Sequence, residues 1–216
     1  MSLGKEVRNF RESYNLYTLD ESEVSASPFI QFENWFAQAV ESGVKEPNAM
    51  SLATAFEGRP SVRVVLLKGF DERGFVFFTN YESRKAQDII KNPHAAVVFF
   101  WGDLHRQIHI EGVVEKVSAT ESDEYYASRD RGSRIGAWAS AQSQILPDRE
   151  TLETKVAEAE ARFEGLEDIP RPENWGGFRI KPVYMEFWQG RVSRLHDRIA
   201  YILQEGETWK IVRKSP

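Results

Sequence analysis

The chain has 216 residues, 41% hydrophobic and 28% charged, which is enough for one domain with a real core and ordinary for a globular protein. Its net charge of −5 argues against general nucleic-acid binding, and the absence of cysteine excludes disulfides, thiolate metal sites and a thiol nucleophile. The four histidines lack zinc-site spacing, no apolar run reaches membrane length, and no signal peptide opens the chain. These features predict a cytoplasmic protein without a metal site or a membrane association.

The first 27 residues are polar and weakly patterned, and their composition alone favours a loose arm. Within it, Arg11 and Tyr14 are three residues apart, the spacing of one helix face. Ser27-Pro28 then predicts a helix start, with serine as the cap and proline at the first helical position. Gly43 ends that helix, and its core-facing stripe is Phe29, Phe32, Phe36 and Val40.

A short strand over Met50–Phe56 and a turn lead into the most informative stretch, Ser61–Lys85. This stretch predicts a strand over Val62–Leu67, a turn over Asp71–Gly74 and a returning strand over Phe75–Phe78. Ser83 is then the expected cap of a helix that runs to about Asn92 and stops at Pro93.

The cations of this stretch are unusually placed. Arg84 and Lys85 fall in the first turn of the predicted helix, where the helix dipole disfavours positive charge and free N–H groups point outward. Arg63 and Lys68 bracket the first strand, and their spacing puts them on opposite faces, so a bulge intervenes or they contact different groups. Two interpretations are open, solvated surface cations or an anionic ligand; all four together favour the ligand, with phosphate the usual one.

The middle of the chain continues with a buried strand over Ala95–Trp101 and an alternating strand over Arg106–Val117, on which Gln107, His109 and Glu111 share a face. Thr120 opens a helix that Gly132 is expected to end. Along it the spacing brings together a hydroxyl, a guanidinium and a second hydroxyl, a combination suited to holding phosphate. These residues are Tyr125, Arg129 and Ser133, and an ordinary surface arginine at a helix end is an equally good interpretation.

The last third predicts a small-residue helix over Ile135–Ser143, an amphipathic helix over Asp148–Phe163 and a loop over Glu167–Asn174. A strand region over Trp175–Trp188, a cationic segment over Gln189–Arg198 and a final hairpin complete the chain. The total of about seven strands, arranged as hairpins, with four or five helices predicts a mostly β fold, an antiparallel sheet or barrel with surrounding helices. No G-x-G-x-x-G follows a strand, which argues against a Rossmann site.

Five motifs then identify a family. R-V-V-L-L-K, F-F-T-N-Y-E-S-R-K, G-A-W-A-S-A-Q-S, E-F-W-Q-G and R-L-H-D-R occur in the order found in pyridoxamine 5′-phosphate oxidases, and the resemblance runs from about Arg11 to the C-terminus. The resemblance implies an antiparallel FMN-binding split β-barrel over residues 28–216 with residues 1–27 as an N-terminal lid. It also implies a homodimer with two FMN sites at the interface. The implied reaction oxidises pyridoxamine or pyridoxine 5′-phosphate to pyridoxal 5′-phosphate, with dioxygen as acceptor and hydrogen peroxide as product.

The resemblance also implies roles for individual residues. Residues implied to bind FMN are Arg63, Val64, Val65, Leu66, Leu67, Lys68, Phe78, Thr79, Arg84, Lys85, Gln107, Gln142, Ser143, Trp188 and Arg198. Those implied to bind the substrate are Arg11, Tyr14, Lys68, Tyr125, Arg129, Ser133, Arg194, Leu195 and His196. Arg194 and His196 are the implied catalytic pair, and no carboxylate stands out as the proton acceptor.

Some positions depart from the family pattern, and three other functions compete. Asp130 replaces a usual proline, the tail lacks a usual leucine before Ser215, and the segment 15–27 lacks the usual basic pattern. The rivals are a related FMN oxidase of the phenazine-pathway type, a non-catalytic carrier of FMN or pyridoxal phosphate, and a split-barrel protein used only for dimeric interaction.

Overall fold

The computed structural model describes Val7 and residues 12–216. In that part of the chain there are five α-helices: α1 Pro28–Glu41, α2 Arg84–Lys91, α3 Ala119–Ala127, α4 Arg131–Ala139 and α5 Arg149–Arg162. The nine strands are β1 Ala49–Phe56, β2 Arg59–Leu66, β3 Gly69–Asp71, β4 Gly74–Asn80, β5 His94–Trp101, β6 Arg106–Lys116, β7 Trp175–Gln189, β8 Asp197–Leu203 and β9 Trp209–Arg213. None of these helices combines the length and apolarity needed to cross a bilayer.

The fold is mostly antiparallel, as the sequence predicts, and the described chain divides into two compact units. The first unit contains the chain up to Pro47, Val98–Ile110 and Val183–Pro216, and the second contains Asn48–Val97 and Glu111–Pro182. The predicted division into an arm over residues 1–27 and one domain over residues 28–216 stays a prediction.

Strand pairing in the second unit begins with a tight hairpin. β1 and β2 pair antiparallel up to Phe56 opposite Arg59, which leaves a two-residue turn. Both turn residues, Glu57 at φ 49° and Gly58 at φ 72°, are left-handed, as the twist of a two-residue hairpin requires. The strands of the described sheet follow the order β2-β1-β5-β6-β7-β4-β3.

The stretch Ser61–Lys85, predicted as strand, turn and strand, contains three strands, β2, β3 and β4, before its helix. β2 pairs with β1, not with the strand that follows the turn. The returning strand β4 instead pairs with the short β3 and, on its other side, with β7. The chain changes strand at Leu67 and Lys68, whose N–H groups donate to Asn48 and Val76 carbonyls at 2.8 Å each. The four cations Arg63, Lys68, Arg84 and Lys85 therefore do not surround one hairpin. Arg63 lies on the separate hairpin formed by β1 and β2.

Three of the helices described in the second unit, α3, α4 and α5, begin where a side chain caps them. Ser118 and Glu121 form a reciprocal capping box that starts α3. The prediction that Gly132 ends this helix is wrong, because α3 already stops at Ala127. Asp130 then accepts the Ser133 N–H at 2.8 Å and starts α4, so Gly132 lies inside a new helix.

The first unit has its core between α1 and the sheet. Phe32 is fully buried and contacts Phe99 edge to face at a centroid distance of 5.3 Å, and Trp35 contacts Phe187 in the same way at 5.2 Å. The buried face of α1 is therefore rotated from the predicted stripe, since Trp35 is inside and Val40 is 54% exposed.

Candidate active site

A cavity of about 610 Å³ in the second unit collects most of the residues predicted to meet phosphate groups. Its lining includes, among predicted FMN residues, Val64, Val65, Leu66, Lys68, Phe78, Thr79, Lys85 and Gln142. Its lining also includes the whole predicted substrate-phosphate set: Lys68, Tyr125, Arg129 and Ser133. Residues that are far apart in the sequence therefore line one cavity. The sequence alone had related them only through the family resemblance and through local spacing.

An aromatic stack forms one wall of this cavity. Phe78 and Tyr125 are stacked at a centroid distance of 4.0 Å, and Trp175 stacks on Phe78 at 5.6 Å. Trp175 reaches this position because β7 pairs with β4 and its first residue lies opposite Asn80, two residues beyond Phe78. Trp175, Ser128 and Asp130 also line the cavity, and none of them is among the predicted site residues. For Trp175 the available signal was an aromatic residue at the start of a glycine-rich strand.

Lys85 lies half-buried at the start of α2. Its Nζ donates to Gln142 Oε1 at 2.8 Å and to Thr79 Oγ1 at 3.0 Å, and Ser83 Oγ lies 3.3 Å away. No ion pair joins Lys85 to a carboxylate anywhere in residues 12–216. Burial, with a further contribution from the Arg63 charge, lowers the pKa of Lys85 to about 8.

The start of α2 is also uncapped. Ser83 occupies the cap position without a side-chain hydrogen bond to the helix, and no acidic residue lies in the first turn. Free N–H groups and a desolvated lysine thus meet at one helix start. That combination suits a phosphate, whose charge would satisfy both.

Arg129 provides a second sign that the cavity is built for an anion. Its guanidinium carbon lies 4.7 Å from the centre of the Trp175 ring, and its Nη1 is buried without a hydrogen-bond partner. A buried guanidinium nitrogen without an acceptor is costly, and an anionic group in the cavity would remove that cost. The residues present therefore fit both phosphate groups that the family resemblance implies.

Other predicted FMN residues of the second unit do not line the cavity. Arg63 donates to Thr54 Oγ1 at 2.8 Å, Ser61 Oγ at 2.8 Å and the Leu52 carbonyl at 3.2 Å, so it ties β2 to β1. Arg84 and Ser143 are exposed, and Leu67 is buried.

In the first unit, Tyr14 lies in an aromatic cluster. Its ring centroid is 4.5 Å from that of His105 and 5.8 Å from those of Trp188 and His196. His105 has left-handed backbone at φ 51° and a buried Nδ1 without a partner. The structure thus groups Tyr14 with Trp188 and His196. The lid over residues 1–27 stays a prediction, and Arg11 lies outside the described residues.

The R-L-H-D-R segment forms a compact turn in the same unit. Ser193 and Arg194 are left-handed at φ 55° and 63°, and both Arg194 and Leu195 are exposed. His196 Nδ1 accepts the Arg191 N–H at 3.0 Å. Burial, and then the nearby Arg194 charge, lower the pKa of His196 below its ordinary value of 6.5.

Arg198, a predicted FMN residue, has a protein partner in the first unit. Its Nε and Nη2 donate to both carboxylate oxygens of Glu186 at 2.9 and 2.8 Å. Glu186 is buried and also accepts the Tyr184 hydroxyl. Gln107, the remaining predicted FMN residue, is half-buried on β6.

Comparisons with known proteins identify the family of this chain. Residues 36–163 match the family model described as pyridoxamine 5′-phosphate oxidase, and residues 175–216 match the pyridoxine 5′-phosphate oxidase C-terminal dimerisation region. A pyridoxine/pyridoxamine 5′-phosphate oxidase from Cupriavidus taiwanensis is 56% identical over 98% of this chain and 99% of its own.

Two solved structures show the same fold. PhzG from Burkholderia lata, in complex with tetrahydrophenazine-1-carboxylic acid, is 32% identical, with a TM-score of 0.87 over 95% of this chain and 100% of its own. A pyridoxamine 5′-phosphate oxidase-related, FMN-binding protein from Nostoc punctiforme is 18% identical, with a TM-score of 0.70 over 89% of this chain and 100% of its own. The fold and these matches define an FMN-dependent oxidoreductase of the split-barrel type. The chain belongs to the pyridoxamine 5′-phosphate oxidase family.

Proposed function

We propose that this enzyme oxidises pyridoxamine 5′-phosphate and pyridoxine 5′-phosphate to pyridoxal 5′-phosphate, with FMN as cofactor, dioxygen as acceptor and hydrogen peroxide as product. One observation carries the proposal: two cationic groups without carboxylate partners, at Lys85 and at Arg129, line one cavity. Two phosphates, one on the cofactor and one on the substrate, account for both groups.

FMN would be held through its phosphate by Lys85, Thr79 and the uncapped start of α2. Gln142 already contacts both side chains, so it would orient them toward the anion. When bound, the flavin supplies the redox chemistry, and the protein supplies binding and orientation.

The substrate phosphate would be held by Lys68, Tyr125, Arg129 and Ser133. Lys68 Nζ lies 5.9 Å from the centre of the Tyr125 ring, so both side chains face the same part of the cavity. The free Nη1 of Arg129 would donate to a phosphate oxygen, and a guanidinium is well suited to that contact.

The substrate ring would be oriented by Arg194 and His196, with Tyr14 and Leu195 beside it. The enzyme would act as a homodimer, with some of the flavin and substrate contacts supplied by the second subunit. The match of residues 175–216 to a dimerisation region supports this, because Trp188, Arg194 and His196 all lie within it.

The direct test is to purify the protein, record the flavin spectrum, add pyridoxamine 5′-phosphate in air and follow both products. Pyridoxal phosphate and peroxide should appear together. A yellow protein that forms neither product would contradict the proposed reaction, and a protein that cannot be loaded with FMN would contradict the proposed cofactor. The double variant Arg194→Ala, His196→Ala should keep the flavin and lose turnover.

A second candidate, oxidation of a reduced phenazine carboxylic acid, is favoured by the likeness to PhzG. The same flavin-loaded sample should be offered a tetrahydrophenazine carboxylic acid and pyridoxamine 5′-phosphate in parallel. We expect turnover of pyridoxamine 5′-phosphate, because Lys68, Tyr125, Arg129 and Ser133 line one cavity and offer more donors than the two oxygens of a carboxylate can accept from. Turnover of the phenazine alone would establish the alternative.

A further inference from the structure

The hydrogen bond that ends on His196 determines where its ring carries a proton. The backbone N–H of Arg191 can only donate, and it points at Nδ1 of His196 from 3.0 Å. Nδ1 must therefore hold a lone pair, and a proton there would set two donors against each other. The lowered pKa of His196 agrees with a neutral ring. A neutral ring with a free Nδ1 carries its proton on Nε2.

A partly buried carboxylate holds the donor of that hydrogen bond in place. Arg191 Nη1 pairs with Asp197 Oδ2 at 2.7 Å, so the side chain and the backbone of Arg191 are both fixed in the turn. Asp197 has a side chain only 15% exposed, and its other oxygen accepts Arg213 Nη1 at 2.9 Å. The Leu19 N–H also donates to Asp197 at 3.2 Å. Asp197 is thus a rigid acceptor and not a mobile counter-ion.

Together, the groups around the His196 ring do not favour a second proton on it. The rings beside it are those of Trp188, at a centroid distance of 4.6 Å, and Tyr14, at 5.8 Å, and neither is a carboxylate or a cationic group. Two charged groups act on the ring: Arg194 disfavours its protonation, and Asp197 favours it. Asp197 is already neutralised by two arginines, so the ring keeps its single proton.

We propose that His196 acts as a hydrogen-bond donor through Nε2, not as the proton acceptor, and that Arg191 and Asp197 are positioning residues that hold this tautomer. The inference rests on the proposed function, because Nε2–H would donate to a lone pair on the amine of pyridoxamine 5′-phosphate or on an oxygen of pyridoxine 5′-phosphate. A neutral ring with its proton on Nε2 has no free lone pair on that nitrogen. The proton released from the substrate therefore goes to a group other than Nε2 of this ring.

The tautomer can be measured without turnover. In protein labelled with heavy nitrogen in histidine, a long-range proton–nitrogen NMR spectrum distinguishes the two ring nitrogens, and the His196 signals are those that vanish in His196→Gln. We expect an unprotonated Nδ1 and a protonated Nε2 at neutral pH in the FMN-loaded enzyme. A proton on Nδ1, or on both nitrogens, would overturn the proposal whether or not the protein is an oxidase.

Turnover then separates donor from base. The side chain of Gln can present an N–H near the position of Nε2, so His196→Gln should keep kcat within about tenfold of the wild type, the effect of a weakened hydrogen bond. His196→Ala, which has no donor, should fall below His196→Gln. An equal loss of about 10²–10⁴-fold in both flavin-loaded variants is the signature of a missing general base, and it would refute the donor role.

The positioning role has its own matched pair. Asp197→Asn removes the charge that fixes Arg191. Asp20→Asn is the control: Asp20, like Asp197, pairs with Arg213, at 3.5 Å, but it does not pair with Arg191. We expect a mixture of His196 tautomers and reduced kcat in Asp197→Asn, with neither change in Asp20→Asn. A single Nε2–H tautomer in Asp197→Asn would remove Asp197 from the mechanism. If the tautomer is as expected but the wild type turns over no pyridoxamine 5′-phosphate, the proposed function fails while the assignment stands.

Discussion

The ring of Tyr14 packs directly against the backbone of Gly190. A Cβ built on Gly190 would lie 2.8 Å from Cγ of Tyr14 and 2.9 Å from Cβ of His105. The tyrosine therefore occupies the space that any other residue at position 190 would fill. Through this contact a small residue in E-F-W-Q-G and an aromatic residue of the N-terminal segment share one site.

Replacing Gly190 with alanine should expel Tyr14. Overpacking of this kind costs about 1–3 kcal/mol, and we expect a lower midpoint of thermal unfolding and faster hydrogen exchange over residues 14–19. Gly136→Ala is the control, because a Cβ there meets no atom within 4 Å. The combination of Gly190→Ala with Tyr14→Ala should recover part of the lost stability. Equal effects of Gly190→Ala in the presence and absence of Tyr14 would show that the contact is unimportant.

FMN binding to the apoprotein should weaken as the pH rises above about 8. The pKa of Lys85 is about 8 without a ligand, so above that pH an anion binds only if the lysine takes up a proton. The dissociation constant, measured by quenching of flavin fluorescence, should then approach a rise of about tenfold per pH unit. Lys85→Arg keeps its charge and should remove this dependence. A wild-type constant that does not change with pH would contradict the assignment of Lys85 to the phosphate.

Arg129→Gln should weaken substrate binding while the flavin stays bound. A charge-assisted hydrogen bond contributes about 1.5–3 kcal/mol, so kcat/KM for pyridoxamine 5′-phosphate should fall about 10- to 150-fold. Arg134→Gln is the matched control: Arg134 also has a buried nitrogen without a partner, at Nε, but does not line the cavity. The Arg129 variant should also lose preference for the phosphorylated substrate over free pyridoxamine. Equal losses in both variants would indicate a general effect on folding.

Arg198→Gln should destabilise the protein mainly above acidic pH. Burial works to raise the pKa of Glu186, but hydrogen bonds from Arg198 and Tyr184 outweigh it and hold that pKa below its ordinary value of 4.5. The wild-type pair therefore stabilises the fold above pH 4.5, and this contribution is lost as the pH falls through the lowered pKa. Without Arg198 the buried Glu186 carboxylate keeps only the Tyr184 hydroxyl and the more distant Lys214 Nζ, 3.7 Å away, so the cost of its burial appears as the pH rises.

The expected cost of Arg198→Gln at neutral pH is about 3–5 kcal/mol in the free energy of unfolding, from urea titration. Arg149→Gln, which breaks an exposed pair with Glu153, should cost at most about 1 kcal/mol. Flavin content is the second measurement on the Arg198 variant. A stable but flavin-free protein would show that Arg198 binds the cofactor and that its pairing with Glu186 contributes little.

Local chemistry explains which elements could be predicted. Ser27-Pro28 and Ser83 lie at helix starts where expected, although neither serine side chain makes a capping hydrogen bond. The extended backbone of serine before a helix and proline at the first helical position are preferences that depend on neighbouring residues. The error at Gly132 has the same origin: the glycine suggested a stop, but the Asp130 carboxylate caps a new helix. The rotated face of α1 could not be predicted this way, because periodicity locates an apolar stripe without showing which part meets the sheet.

By itself the sequence determined the family, through five motifs in order. It also showed that four cations, Arg63, Lys68, Arg84 and Lys85, lie within the stretch Ser61–Lys85. Tertiary structure decided which cations are free to meet an anion. Arg63 and Lys85 come from the same stretch, yet strand pairing supplies Arg63 with the acceptors of β1, while Lys85 is desolvated without a carboxylate. Trp175 and Phe78 became one wall of a cavity through the pairing of β4 with β7. Such contacts depend on strand register between distant segments, which no local pattern encodes.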